Sequence, residues 1–289
     1  MTTNGGNGDI KFGTINKAAV PIHLDVDYES NIAFAEDELV QVVNDSMERA
    51  DAAKKIGNVV GRQWDFYLHL KILQGALATA RVQRMDNGSM VDIEVGTAET
   101  KDNVTGEELK EAIFKLKAMY ESKNVMDYMR WLLIDPTDYS KLAQLNVLLD
   151  VDLGGVGNIS QGTMKQVAGF KLQMSNVMPN ANYASDTKIE TLPFAYTNQG
   201  RVETLANLSN NYLVDGTNTI ALGYDKRSVA TAIWTPMVIR TSGNYDVNII
   251  KKKWYASCFQ RSGSQYMMES TCGGIRACLL YTSPSPRDS

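Results

Sequence analysis

The sequence predicts an α+β protein. Three observations carry that expectation. An apolar repeat of three and four residues runs from 36 to 82 and asks for a long helix. Several short segments alternate apolar and polar residues, or are apolar throughout, and ask for strands. The helical and extended segments do not follow one another in the regular order of a βαβ protein. With 289 residues, 44% of them hydrophobic, the chain can bury a sizeable core in one large or two modest domains.

Taken in chain order, the first strand lies at 21–29, "PIHLDVDYE". Ile22, Leu24, Val26 and Tyr28 share one face, and His23, Asp25, Asp27 and Glu29 share the other. The polar row invites a metal-site reading. Side chains along one straight strand do not converge on a point, however, so a solvated strand face is the better account.

The long repeat comes next. Leu39, Val42, Val43, Met47, Ala50, Ala53, Ile56, Val60, Trp64, Tyr67, Leu68 and Ile72 recur at helical spacing, and no proline stands between Pro21 and Pro136. A helix of roughly 20–40 residues follows, about 30 Å or longer at 1.5 Å per residue. A break is expected near Gly57 or Gly61, because glycine weakens a helix interior. His69 falls within this helix, beside Leu68 and Leu70, where a packed histidine is expected rather than a catalytic one.

Residues 83–104 predict a hairpin or loop around Asn87-Gly88. Thr105 and Glu108 then form a capping box. Leu109, Ile113, Leu116, Met119 and Tyr120 give the stripe of an amphipathic helix to about Glu121. "WLLIDPTDYSKLAQ" follows, a strand from Trp131 to Ile134 that runs into Asp135-Pro136. The end of such a strand can hold a catalytic carboxylate. Yet Asp is a favoured N-cap, Pro suits the first helical position, and Asp138 in the first turn suits the helix dipole. A catalytic carboxylate needs a second titratable partner, and the only histidines are His23 and His69. Asp135 therefore reads as a cap.

"LGGVGNISQG" (153–162) contains Gly155-Val156-Gly157, a fragment of a dinucleotide fingerprint without the third glycine or a following helix, so it reads as a glycine loop. Phe170, Leu172 and Met174 alternate with Lys171, Gln173 and Ser175 in a strand that ends before Pro179. Residues 180–216 read as a long polar loop with one short helix near 202–208. Residues 217–241 read as two strands joined by a turn at Asp225–Ser228, and 244–257 as one more strand.

Composition excludes several classes. The net charge is −4 without a basic stripe, which argues against tight nucleic-acid binding. Apolar runs are too short to span a membrane, and "MTTNGGNGDIKFG" has no signal-peptide core, so a soluble, cytoplasmically made chain is expected. GxSxG, HExxH, paired CxxC and P-loop signatures are missing; no catalytic, cofactor or metal residue is assigned. All three cysteines, Cys258, Cys272 and Cys278, fall near the C-terminus, which rules out a disulfide framework for the body. The last stretch, "CLLYTSPSPRDS" (278–289), resembles a translated sequencing adapter, and 277–289 is expected to be an artefactual tail.

The order of segments carries a resemblance. "LLIDPTDYSKLAQ", "DLGGVGNISQG", "VAGFKLQMSNVMPN" and "ALGYDKRSVATA", preceded by "AEDELVQVVNDSMERADAAKKIGNVVGRQWD" and closed by "QYMMESTCGGIRA", resemble the major capsid proteins of tailed bacteriophages, T-seven-like podoviruses above all. The resemblance covers roughly 20–276. It implies an HK-ninety-seven-like fold with a long spine helix. A peripheral domain would take 1–95 and 240–276, with the N-terminal arm and extended loop largely missing, and an axial domain 96–239. It further implies a self-assembling subunit of an icosahedral head around double-stranded DNA, located in the virion capsid and assembled in the bacterial cytoplasm. The implied partners are copies of itself in hexamers and pentamers, with scaffolding and portal proteins. DNA contact would be weak and non-specific, and no membrane or cofactor is implied. The alternatives are an encapsulin-like nanocompartment shell protein and a soluble hydrolase acting through Asp135 or the His23 strand.

Overall fold

The computed structural model describes residues 28–37, 46–80, 86–95, 101–145, 156–158, 163–184, 212–245 and 252–279. In chain order the elements are β1 (Tyr28–Asp37), α1 (Ser46–Leu77), β2 (Ser89–Val95), α2 (Gly106–Ser122), β3 (Arg130–Ile134) and α3 (Pro136–Ala143). Then come β4 (Val156–Asn158), β5 (Thr163–Val167), β6 (Phe170–Met174), β7 (Asn182–Tyr183) and β8 (Val214–Asp215). The chain finishes with β9 (Thr219–Asp225), β10 (Val229–Tyr245), β11 (Lys252–Tyr266) and β12 (Cys272–Leu279).

The strands form a seven-stranded mixed sheet in the order β2-β12-β9-β3-β6-β5-β4, a three-stranded antiparallel sheet β1-β11-β10, and the small pair β7-β8. In the large sheet β9 runs antiparallel to both β3 and β12, while β3 pairs with β6, and β12 with β2, in parallel. Helices cover both faces. Leu109, Ile113, Leu116 and Tyr120 of α2 pack with Leu132, Ile134, Phe170 and Ile275 in one core. Phe66, Tyr67, Leu70 and Leu73 of α1 pack with Leu133 and Leu222 in a second. This explains why Trp131–Ile134 reads as a continuous apolar run: a strand buried on two faces has no polar side to present.

The long helix is a single rod of 32 residues. It begins at Ser46, and Glu36 and Asp37, inside the predicted repeat, belong to β1 instead. It runs through Gly57 and Gly61 without the expected break. Nothing stands within 4 Å of a Cβ at either position, so the cost is only the intrinsic one of about 1 kcal/mol each. The packed second half of the rod outweighs that cost.

Asn87-Gly88 does not turn a hairpin. The Asn87 side chain accepts from the Ala80 N–H, and the Gly88 N–H donates to the Ala78 carbonyl. A Cβ at Gly88 would meet the Gly75 carbonyl oxygen at 2.2 Å, so glycine is here for close approach to the end of α1. β2 then pairs with β12, 184 residues further along the chain, rather than with a neighbour.

Other expectations meet the structure element by element. The capping box holds: Thr105 accepts from the Glu108 N–H, and the Glu108 carboxylate accepts from the Thr105 N–H. β6 spans the predicted 170–174. A short strand, β4, stands within the predicted glycine loop, and β7 and β8 pair at the ends of the long polar loop. The strand at 21–29 overlaps the described residues only at Tyr28 and Glu29, which open β1; the helix near 202–208 lies outside them. β12 extends to Leu279, so 277–279, read as the start of a tail, pair with Ile93–Val95. Residues 280–289 are outside the described set.

The two strands around the Asp225–Ser228 turn enter different sheets, β9 the large one and β10 the small one. The return crossing lies at Tyr266–Cys272. Both crossings are tied together: the buried Ser228 hydroxyl donates to the Thr271 carbonyl at 2.8 Å, and the Met267 N–H donates to the Ser228 carbonyl at 2.7 Å. α1 packs against strands of both sheets. β10 bends at irregularities on either side of Thr235, where Pro236 removes a ladder donor on an edge strand.

Candidate assembly surface

Asp135 closes β3 and caps α3. Its Oδ1 accepts from the Thr137 N–H at 3.0 Å and the Thr137 hydroxyl at 2.8 Å, and its Oδ2 accepts from Lys101 Nζ at 3.1 Å. Burial pushes the Asp135 carboxyl up, but the Thr137 hydrogen bonds and the Lys101 ammonium together hold it below its ordinary value. A carboxylate with its lone pairs so engaged, and held in its charged form, is a poor proton acceptor for chemistry near neutral pH. Asp138, one turn on, is buried and paired with Lys141 at 2.9 Å.

His69 is almost fully buried on α1, with Nδ1 3.2 Å from the Val177 carbonyl. A carbonyl only accepts, so Nδ1 carries the proton. Burial lowers the imidazole to about 4, against the smaller opposing effect of that hydrogen bond. The ring is therefore neutral at pH 7 and serves as a satisfied packing group. It lines an open cavity of about 640 Å³ between α1 and the large sheet, floored by Leu68, Ile72, Leu133 and Val177 and edged by Asp65, Asp225 and Lys226. Asp135 is not among its lining residues, and Asp225 is engaged by the Arg227 guanidinium at 2.7 Å.

His23 and Gly155 lie outside the described residues, and Gly157 sits in β4. Among the described residues no group of three or more His, Cys, Asp or Glu side chains could hold a metal ion. No described helix is long and apolar enough to cross a membrane. In the cleft His69 is bonded to the Val177 carbonyl and Asp225 to the Arg227 guanidinium, and neither arrangement supports the hydrolase alternative.

What the sequence reading passed over lies on the outside. Large apolar side chains stand exposed at Phe114 on α2, at Met126 and Tyr128 just before β3, and at Met267 and Met268 just before β12. Leu77 and Met174 are exposed as well; single exposed apolar residues are ordinary, and only a contiguous patch marks contact with another molecule. Phe114 carried a signal. It falls on the face of α2 opposite the Leu109-Ile113-Leu116-Tyr120 stripe, where a polar residue is expected.

The family model described as Gp10A-like major capsid protein matches residues 44–251. The fold is similar to that of solved phage capsids. The capsid of cyanophage P-SCSP1u is 20% identical with a TM-score of 0.73, covering 95% of this chain and 81% of that one. The mature capsid of bacteriophage PhiM1 is 14% identical with a TM-score of 0.62, covering 93% and 78%. That of Mycobacterium phage Che8 is 12% identical with a TM-score of 0.54, covering 90% and 76%. No curated protein matches the chain. The rod, the α+β order and the two sheets are those of the HK-ninety-seven-like capsid fold. An encapsulin-like identity gains nothing from the family match. The chain belongs to the Gp10A-like family of major capsid proteins, structural subunits of icosahedral phage heads whose work is self-assembly rather than catalysis.

Proposed function

We propose that this subunit assembles as hexamers and pentamers into a closed head around double-stranded DNA, within the bacterial cytoplasm and with the help of scaffolding and portal proteins. The observation that carries the reading is the family match over 44–251, which takes in the rod, six of the seven strands of the large sheet and β10 of the small one. A closed icosahedral shell of one chain is built on five-membered clusters, joined in larger shells by six-membered ones, through many modest contacts. The net charge of −4 supports weak, non-specific DNA contact, because phosphate affinity grows with the number of basic contacts.

Sheet membership supports a division into two units. Among the described residues, those within 86–225 and 272–279 make up the axial unit and those within 28–80 and 229–266 the peripheral unit, tied at the paired crossings around Ser228 and Thr271. These limits place β2 with the axial unit and most of β10 with the peripheral one, where the sequence boundaries at 95/96 and 239/240 divide them otherwise.

Electron microscopy and sedimentation of the full chain, alone and co-expressed with its genomic neighbours, test the proposal. Closed particles built of pentamers and hexamers are expected. A chain that stays monomeric under every one of these conditions would sink it.

A further inference from the structure

We propose that Asn87-Gly88 is a self-modifying latch: bonds to the end of α1 keep it unreacted in the folded subunit, and a subunit that opens there converts Asn87 to isoaspartate and cannot close again. The inference stands apart from the shell reading. In an Asn-Gly pair the backbone nitrogen reaches the preceding side-chain amide freely, because glycine has no Cβ in the way. The chain holds three such pairs, Asn4-Gly5, Asn7-Gly8 and Asn87-Gly88, and only the last lies among the described residues.

Both reacting groups of this pair are engaged just past the rod. The Gly88 N–H, whose nitrogen would attack, donates to the Ala78 carbonyl at 3.0 Å. The Asn87 Oδ1, on the carbon that would be attacked, accepts from the Ala80 N–H at 2.8 Å. From the end of α2, Lys123 Nζ gives its three N–H donors to the Asn87 carbonyl at 2.8 Å, the Gly88 carbonyl at 3.0 Å and the Ser89 hydroxyl at 2.6 Å. That ammonium also favours the negative charge that reaches the Asn87 carbonyl when the Gly88 nitrogen is deprotonated. No such charge forms, however, until the Gly88 proton has left the Ala78 carbonyl. Asn87 itself is exposed, so water and base reach it as soon as the latch opens.

In the open state the Gly88 nitrogen loses its proton to solvent and bonds to the Asn87 Cγ. The Cγ–Nδ2 bond breaks, Nδ2 takes a proton back from solvent and leaves as ammonia, and a cyclic imide remains. Water adds to one imide carbonyl and opens the ring. The product is aspartate, or isoaspartate where the main chain now runs through Cβ and Cγ. Isoaspartate lengthens the main chain by one atom between positions 87 and 88. Gly88 has no slack for it: a Cβ there would already stand 2.2 Å from the Gly75 carbonyl oxygen and 2.3 Å from that of Ala76. The displaced Gly88 N–H then misses Ala78, and β2, which begins at Ser89, loses its fixed start.

Peptide mass spectrometry of the full chain reads isoaspartate at positions 4, 7 and 87 after incubation in mildly alkaline buffer, with and without guanidinium chloride. In denaturant Asn87 is expected to keep pace with Asn4 and Asn7. In native buffer it should convert roughly tenfold or more slower than in denaturant, since the reaction waits on local opening. Equal rates at Asn87 under both conditions overturn the latch. An Asn87 that stays intact in denaturant while Asn4 and Asn7 convert overturns the site. Ala80→Pro, checked for folding by circular dichroism, removes the donor to Asn87 Oδ1 and should speed conversion in native buffer about threefold. A folded variant that converts no faster than wild type refutes the hold on the side chain. In chains aged in native buffer, peptides from 87–95 that carry isoaspartate should exchange backbone hydrogens faster than their unconverted counterparts. Equal exchange would show that the latch closes again, against the proposal.

Discussion

Replacing Asp135 by Ala and by Asn separates a helix cap from a catalytic carboxylate. Asp135→Ala removes the acceptor for the Thr137 N–H, a loss worth about 1 kcal/mol for an N-cap. It also removes the partner of Lys101, whose ion pair is only partly buried, side chains 19% and 20% exposed, and is worth about 0.5 kcal/mol. The sum is about 1.5 kcal/mol, or a fall of roughly 3–5 °C in melting temperature for a domain of this size. Asn is as good a cap as Asp, so Asp135→Asn keeps Oδ1 in place and loses only the Lys101 attraction, about 0.5 kcal/mol. The charge contribution has a definite sign with pH. The folded carboxyl lies below its ordinary value of 3.8, so the unfolded chain takes up its proton first on acidification. The stabilisation is fully present above that ordinary value, and it is lost as pH falls through the folded pKa. Wild type and Asp135→Asn should therefore converge in stability at low pH and differ at pH 7. Thermal unfolding of the full chain, followed by circular dichroism at several pH values, measures all three proteins. Equal losses from Ala and Asn, or no loss from Ala, would refute the capping account.

Three further outcomes are expected. His69, buried neutral at about 4 against 6.5 in the unfolded chain, should cost the fold about 3 kcal/mol as pH falls from 7 to 4, since the unfolded state binds the proton first. Asp65, raised by burial in the same cleft, works the other way; His69→Gln should flatten the acid slope of urea unfolding, and an unchanged slope counts against the assignment. Gly273→Ala would bring a Cβ to 2.7 Å from the Tyr120 hydroxyl and 2.9 Å from Leu116, overpacking worth about 1–3 kcal/mol. Adding Tyr120→Phe should recover part of it, and strict additivity in the double variant would argue against that clash. Phe66→Ala removes a fully buried ring set edge-on to Tyr183 at 5.3 Å and should cost about 3–5 kcal/mol in chemical unfolding; a loss under 1 kcal/mol would show that α1 does not anchor the second core.

Features set by neighbours along the chain were legible in the sequence. The Thr105–Glu108 box, the α2 stripe and the Asp135-Pro136 cap depend on residues three or four apart, and each stands where the spacing puts it. The rod was legible in existence but not in its ends. Glu36 and Asp37 fit its repeat, yet they pair with Trp254 and Lys253 across the small sheet. Sheet order was not legible, because pairing across long stretches leaves no local periodicity. β2 finds its partner in β12, and β9 and β10 part company at a turn that reads like any hairpin. Of the exposed apolar side chains only Phe114 was readable, as an aromatic on the wrong side of its helix. Tyr128 and the methionines become a group only when β3 and β12 are laid either side of β9.

The Ser228–Thr271 tie has a mechanical consequence. Here the outgoing and returning passages are bonded into one narrow neck, and α1 lies across it like a splint. A load on the large sheet is therefore passed to the small sheet through one bonded neck and the rod beside it, and not through two separate linkers.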